Sequence, residues 1–258
     1  MQIPEHLRER YASWSWTLVH DCGHDGATWR ITHAHRRACF VKIAAASAYP
    51  SLAGETARTR WARAYLPVPE MVDAGTDGAI QWQVTAALSG RPVTDAQLDA
   101  DPAHLVELLA RGLRQFHAAP VATCPFDFTL ETAMAHVRAR VAADVIDAAE
   151  DFNEDHQHLS VAAAHGALER LRPDREDLVV CHGDYCPPNI LVADDTVTGF
   201  VDLGELGVAD RWWDLAVGTW SVTWNFGPGW EDLFLSTYGV EPDPRRRAFY
   251  RLLFDLAS

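Results

Sequence analysis

Between Cys181 and Val192 the chain reads CHGDYCPPNILV, which sets Asp184 and Asn189 on either side of Pro187 and Pro188. A further carboxylate, Asp202, follows in GFVDLG. Mg2+ is a hard ion that takes few protein oxygens and shares its other positions with phosphate and water. Asn189 and Asp202 suit it, and Asp184 remains to accept a proton from a hydroxyl. That division of labour fits phosphoryl transfer, where the group in flight needs positioning and charge neutralisation more than covalent help. The prolines fix φ and remove backbone donors, so the segment is expected to stay out of a helix and hold its two polar ends in place. His182 resembles a metal ligand, but a Mg2+ site wants oxygen, so its expected role is to hold the loop by hydrogen bonds. Cys181 and Cys186 have no His/Cys cluster beside them and are expected to pack.

These groups need strand ends and a stiff loop to position them. Val179 and Val180 approach the loop as extended chain. NILVA and TGFVDL read as a hairpin with a polar turn at Asp194 and Asp195, and ladder pairing is expected to bring Asp202 near Asn189. The first third of the chain reads as strands with one helix. CFVKIA predicts a strand ending at Lys42. LAGETARTRWARAYL predicts a helix, with Leu52, Glu55, Thr59 and Ala62 at helical spacing and Pro67 as its stop. Glu55 on that helix can hold Lys42 in an ion pair, the context of a lysine that meets nucleotide phosphates. Gly23 and Gly26 lie in a hairpin turn that could cover those phosphates, though the pattern is not GxGxxG. Two more strands are expected within VPEMVDAGTDGAIQWQVTAAL.

After SGRP helical patterns dominate. Asp101 is the expected N-cap and Pro102 the first residue of a helix whose apolar face is Leu105, Leu108, Leu109, Leu113 and Phe116. Residues 128–149 and 158–171 are also expected to be helical. The fold class is therefore α+β. A small sheet-rich N-lobe (residues 1–88, nucleotide-binding) precedes a larger, mainly helical C-lobe (89–258, catalytic and substrate-binding). In this setting HxDxxxxN followed by DxG matches the template of protein kinases.

The chain has 258 residues and a formal net charge of −14. That acidity argues against a nucleic-acid partner. It suits a cationic small substrate, whose local concentration the field raises. The five cysteines, Cys22, Cys39, Cys124, Cys181 and Cys186, form no CxxC pair, so neither a disulfide framework nor a zinc module is expected. No apolar run is long enough for a membrane span and MQIPEHLRER has no signal-peptide core, so a cytoplasmic location is expected.

LVVCHGDYCPPNILV with GFVDLGELGVADRWWDLA resembles the aminoglycoside phosphotransferases, in particular the 3′-type kanamycin and neomycin kinases. FVKIA, LAGE, LPVPEMV, LRQFHA, CPFD, EDFNEDHQHL and AFYRLL resemble family segments in the same order, across nearly the whole chain. The resemblance implies a protein-kinase-like two-lobed fold. It also implies phosphorylation of an aminoglycoside hydroxyl, the 3′-hydroxyl, with ATP or GTP and Mg2+, and hence antibiotic resistance. Asp184 then looks like the catalytic aspartate, and Asn189 and Asp202 like the metal ligands. Lys42 and Glu55 resemble the nucleotide pair, and backbone from Ala86 to Leu88 would meet adenine. Asp151, Glu154 and Asp255 resemble the carboxylates that bind the polycationic substrate through charge-assisted hydrogen bonds. A monomer or weak dimer is expected.

Three departures from the family stand out. Glu205 stands where the family carries Arg. Trp220, Ser221 and Trp224 stand where it often carries polar pocket residues. The chain ends FDLAS rather than in an aromatic. Trp213, Val217, Trp220 and Trp224 fall on one helical face. Trp213 is expected in the core, and Trp220 or Trp224 at the pocket, stacking a sugar ring or attracting an ammonium. Two alternatives accompany this reading. One is a same-fold kinase acting on a streptomycin-like or other small-molecule hydroxyl. The other is a weakly catalytic nucleotide- or drug-binding protein.

Overall fold

The computed structural model describes residues 3–21, 23, 26–96 and 101–257; Cys22, His24 and Asp25 lie outside the described residues. In chain order the elements are α1 (Glu5–Arg10), β1 (Ser15–Asp21), β2 (Gly26–His33), β3 (Arg36–Ala45), α2 (Leu52–Ala62), β4 (Met71–Thr76) and β5 (Ile80–Ala86). There follow β6 (Arg91–Pro92), α3 (Val93–Ala96), α4 (Pro102–Phe116), α5 (Leu130–Ala143), α6 (Val161–Leu171), β7 (Leu178–Cys181), β8 (Ile190–Ala193), β9 (Thr196–Phe200), β10 (Gly207–Asp210), α7 (Trp212–Phe226), α8 (Glu231–Tyr238) and α9 (Pro244–Ala257). Two compact units divide the chain. The smaller takes residues up to Gly90 together with Thr198–Glu205, and the larger takes the rest.

The smaller unit is an antiparallel sheet in the order β1-β2-β3-β5-β4. Alternation along β3 turns Cys39, Val41 and Ile43 into a core with Ala27, Trp29, Ile31 and Val84. The charged N-terminal stretch forms α1, a second helix in a third of the chain expected to hold one, and buries Leu7 in that core. Lys42 does not end its strand. β3 continues to Ala45 because Ile43 and Ala44 still pair with Trp82 and Gln81 of β5. α2 starts where expected. The Ser51 hydroxyl caps it by accepting the Gly54 amide at 3.1 Å.

In the larger unit Asp101 caps α4 by accepting the Ala103 amide at 3.1 Å, and all five residues of the expected apolar face are buried. The helix expected over 128–149 stops at Ala143, where Asp144 turns left-handed (φ 53°). The next helix begins only at Val161, after the Ser160 cap, instead of at 158. Pro187–Asn189 forms one 3-10 turn, a departure from the expectation of no helix. Proline tolerates a first turn, where its missing N–H has no helical partner to lose. Strands β7 and β10 pair antiparallel, with Cys181 opposite Gly207. Asp194 and Asp195, both at positive φ (48° and 57°), make the tight turn between β8 and β9. β9 ends at Phe200, so the ladder stops short of Asp202. Among the described residues no helix is long and apolar enough to cross a membrane.

Candidate active site

Within the smaller unit three charges meet at Lys42. Its ammonium donates to Glu55 Oε2 at 3.0 Å and Oε1 at 3.2 Å, and it also pairs with Asp202. Burial works to lower the lysine's pKa. The two carboxylates outweigh it and hold the pKa above the ordinary lysine range, so the ammonium stays charged. Glu55 is buried and held in turn by Gln83, whose Nε2 donates to Oε1 at 2.7 Å; the Gln83 carbonyl accepts from Thr56 Oγ1 at 3.1 Å. Gln81, on the same face of β5, fastens the start of α2 by accepting the Ala53 amide at 2.9 Å. The reading of the sequence missed both glutamines. The signal was there in IQWQVTA, where Gln81 and Gln83 alternate with apolar residues and so share one face of the strand.

Asp202 sits at φ 59°, a left-handed conformation that Asp adopts more readily than most residues. Gly204 of the DxG segment is needed for space, because a Cβ there would lie 2.5 Å from Pro50 Cγ. Glu205 is half-buried at the end of the same segment. Gly23 (φ 66°) turns the chain after β1 and donates to Asp21 Oδ1 at 2.9 Å, whereas Gly26 already belongs to β2. The Ala86 amide donates to the Glu70 carbonyl at 2.9 Å and the Ala87 amide to Ala38 at 2.8 Å, which fixes the exit from β5 just before Leu88.

In the larger unit the loop after β7 is anchored on both sides. Asp214 of α7 accepts the His182 amide at 2.7 Å and the Gly183 amide at 2.9 Å. The Trp213 indole donates to the Gly183 carbonyl at 2.7 Å. His182 is fully buried and its Nδ1 accepts the Asp184 amide at 3.3 Å, the supporting role expected of it. Tyr185 is tied to α4 through its hydroxyl, which donates to the Leu109 carbonyl at 2.7 Å. Between these anchors Asn189 donates through Nδ2 to Asp184 Oδ2 at 2.9 Å and to the Asp184 carbonyl at 3.1 Å. That leaves Asn189 Oδ1 as the atom of its side chain with cation-binding chemistry.

His117, Cys181 and Asp214 bring three metal-ligand atoms within 4.8 Å of one another. Their hydrogen bonds oppose a metal. Both ring nitrogens of His117 and both Asp214 oxygens are engaged, and Cys181 Sγ donates to the Asp210 carbonyl at 3.3 Å. Burial, reinforced by Asp214 and Asp210, pushes the Cys181 thiol well above its usual range and keeps it protonated.

The acidic loop is partly self-satisfied. Asp151 accepts the Asp147 amide at 2.9 Å and faces Arg140 at 3.8 Å. Asp255 is only 1% exposed, and its carboxylate accepts from the Asn153 amide and side chain and from His156 Nδ1. The resemblance places Asp255 among the substrate-binding carboxylates; in the structure it is buried and orders the loop. Glu154 is exposed and has no partner among the described residues. The two tryptophans separate. Trp220 is buried, with its indole N–H on Asp155 Oδ2 at 2.7 Å and the Arg251 guanidinium 5.1 Å from its ring. Trp224 is 51% exposed and stacks on Trp220, with ring centroids 5.1 Å apart and planes 25° apart. Trp213 is in the core, as expected.

Residues 19–250 match the profile of the phosphotransferase enzyme family. An aminoglycoside 3'-phosphotransferase of Streptomyces fradiae is 34% identical, over 96% of this chain and 97% of its own length. The crystal structure of an aminoglycoside-3'-phosphotransferase of type VIII superposes with a TM-score of 0.86 at 34% identity, covering 97% of this chain and 96% of that one. The aminoglycoside phosphotransferase APH(3'')-Id from Streptomyces rimosus, solved in complex with ADP and streptomycin, gives a TM-score of 0.81 at 27% identity over 98% of this chain and 96% of its own.

Proposed function

Because the chain belongs to the phosphotransferase enzyme family, we propose that it transfers the γ-phosphoryl group of ATP to an aminoglycoside hydroxyl, the 3′-hydroxyl, and so confers resistance to the antibiotic. One observation carries the reading. Asp184 is held by Asn189 on a loop whose preceding amides are clamped by Asp214. A carboxylate fixed in that way suits removal of a hydroxyl proton.

In this reading Asp184 takes the proton of the attacking hydroxyl. The new oxygen–phosphorus bond forms as the bond from phosphorus to the bridging oxygen of ADP breaks. Lys42, kept charged and aimed by Glu55, supplies a fixed positive charge to the nucleotide phosphates. Gly23, which turns the chain after β1, and Gly26 at the start of β2 cover them, and backbone from Ala86 to Leu88 meets the base. Asn189 Oδ1 and the Asp202 carboxylate are hard oxygen donors of the kind Mg2+ takes, and the ion would neutralise phosphate charge. Residues 1–88 then serve the nucleotide and 89–258 the substrate and the chemistry. On the substrate side, Glu154 and Asp151 face ammonium groups and Trp224 offers a ring. Asp255 supports the loop they stand on.

The test is steady-state ADP release with a panel of kanamycin, neomycin and streptomycin, followed by NMR mapping of the phosphate on the product. Antibiotic-dependent release with phosphate on the 3′-oxygen is the expected result. No antibiotic-dependent release sinks the proposal. The aromatic surface of Trp224 in place of a polar group favours one second reading, the same transfer to a different hydroxyl of a guanidino-sugar antibiotic, and the product map separates the two.

A further inference from the structure

Behind the loop that carries Asp184 lies a run of buried polar groups that the transfer step does not use. Asp214 is fully buried and, besides the two loop amides, faces His117 Nε2 at the end of α4 at 2.9 Å. A carboxylate only accepts, so Nε2 carries the ring proton. Nδ1 of the same ring lies 2.8 Å from the Tyr238 hydroxyl at the end of α8. That hydroxyl oxygen is also 3.3 Å from Arg211 Nη1, and a guanidinium only donates. The Tyr238 oxygen therefore accepts from Arg211 and gives its own proton to His117 Nδ1. A proton on Nδ1 instead would strand the tyrosine O–H in the interior without an acceptor, at a cost like that of a lost buried hydrogen bond. Arg211 is held from outside by Asp177, 3.0 Å from Nη2. Burial pushes the Tyr238 hydroxyl up to about 12 against the lowering effect of Arg211, so it keeps its proton and stays a donor. The donors point one way from Arg211 through Tyr238 and His117 to Asp214, which also accepts from the two loop amides on its other side.

We propose that Tyr238 is a positioning residue for phosphoryl transfer: its hydroxyl holds His117 in the Nε2–H tautomer, and that tautomer holds Asp214 against the amides of His182 and Gly183. The role of the loop in the reaction rests on the reading of Asp184 given above. The other tautomer would turn a nitrogen lone pair onto a carboxylate oxygen and release one of the groups that fix Asp214. The consequence falls on the placement of Asp184, hence on kcat, and not on the binding of either substrate.

The experiment uses the full chain and has two readouts. Nitrogen NMR of 15N-histidine protein, with the His117 signal assigned by its loss in His117→Asn, reads which ring nitrogen is protonated. Steady-state kinetics with ATP and the best antibiotic of the panel compare wild type with Tyr238→Phe. The expected result is a pure Nε2–H tautomer in wild type and a mixture in Tyr238→Phe. Loss of one buried hydrogen bond should lower kcat roughly five- to tenfold per folded enzyme, with both KM values within about twofold. A proton on Nδ1 in wild type overturns the inference, and that measurement needs no variant to fold. An unchanged kcat in folded Tyr238→Phe, with only its Tm lowered, overturns it too, since that is the signature of packing alone. Absence of antibiotic-dependent turnover in wild type is a different failure, that of the Asp184 reading, and leaves the tautomer measurement to stand or fall on its own.

Discussion

Asn189 turns the nitrogen of its side chain onto Asp184, 2.9 Å from Oδ2 and 3.1 Å from the main-chain carbonyl of the same residue. The carboxylate is thereby oriented by a neighbour five positions along a proline-stiffened turn. Removing the carboxylate should abolish its work as a base and leave the Lys42 cluster untouched. Asp184→Ala is expected to lose roughly a hundred- to ten-thousandfold in kcat. Nucleotide affinity, measured by calorimetry, should stay close to wild type. Loss of nucleotide binding together with turnover would place Asp184 in a different role.

Gln83 predicts a separate defect. Its Nε2 bond keeps Glu55 aimed at Lys42 from inside the sheet. Gln83→Leu removes that bond, leaves Glu55 Oε1 with only the 3.2 Å contact to Lys42, and takes the acceptor from the buried Thr56 hydroxyl, a loss of about 1–3 kcal/mol. KM for ATP should rise several-fold with KM for the antibiotic unchanged. Equal changes in both constants would show that the variant perturbs more than the nucleotide cluster.

The stacked tryptophans should behave differently when truncated. Trp220→Ala empties a buried site and is expected to destabilise the fold by about 3–5 kcal/mol, read as a lower Tm or urea midpoint. Trp224→Ala should leave stability within about 1 kcal/mol but raise KM for the antibiotic, because the ring offers stacking and ammonium attraction worth about 0.5–2 kcal/mol. An unaltered antibiotic KM in Trp224→Ala would remove Trp224 from the substrate surface.

Gly204→Ala tests the close approach in the DxG segment. The new methyl would lie 2.5 Å from Pro50 Cγ, and a proline ring has little freedom to withdraw. Overpacking of this kind costs about 1–3 kcal/mol. Chemical denaturation should show the loss, and a variant as stable as wild type would mean that the Asp202 segment can shift.

Alkaline pH should unfold the protein through its buried phenols. Burial raises the hydroxyls of Tyr185, Tyr238 and Tyr250 above the usual tyrosine value. Above a pH of about 10 the unfolded chain releases these protons while the folded chain keeps them. The unfolded state then binds fewer protons, so stability falls as pH rises. For Tyr238 the loss runs from the unfolded value up to about 12. Tm measured from pH 8 upward should drop steeply past the tyrosine range, as ordinary exposed phenols would not cause; Tyr238→Phe should drop less steeply than wild type.

The amino-acid sequence alone was enough for the groups whose relation is local. Asp184 and Asn189 share one short loop, so their spacing and the prolines between them already imply a joint role. Capping at Asp101, the apolar face of α4 and the hairpin turn at Asp194 and Asp195 follow from backbone preferences and periodicity, which act over a few residues. The reading slipped at element ends, and it also missed α1 and the 3-10 turn at Pro187–Asn189. β3 outran Lys42 because neighbouring strands continued to pair with it, and the helix after Thr129 stopped early at a left-handed Asp144.

Partnership across the chain belongs to the folded molecule. Sequence distance hides that Gln83 holds Glu55, that Asp214 holds the amides of His182 and Gly183, and that His117 stands between Asp214 and Tyr238. Packing likewise assigned opposite surroundings to residues of one type. Asp255 is buried under His156 while Glu154 is exposed, and Trp220 is enclosed while Trp224 stays open. A buried polar group must find a partner or incur a desolvation penalty, and the identity of that partner depends on which elements pack together. Local pattern therefore names the chemistry, whereas the packed core assigns each group its partner, its exposure and its proton.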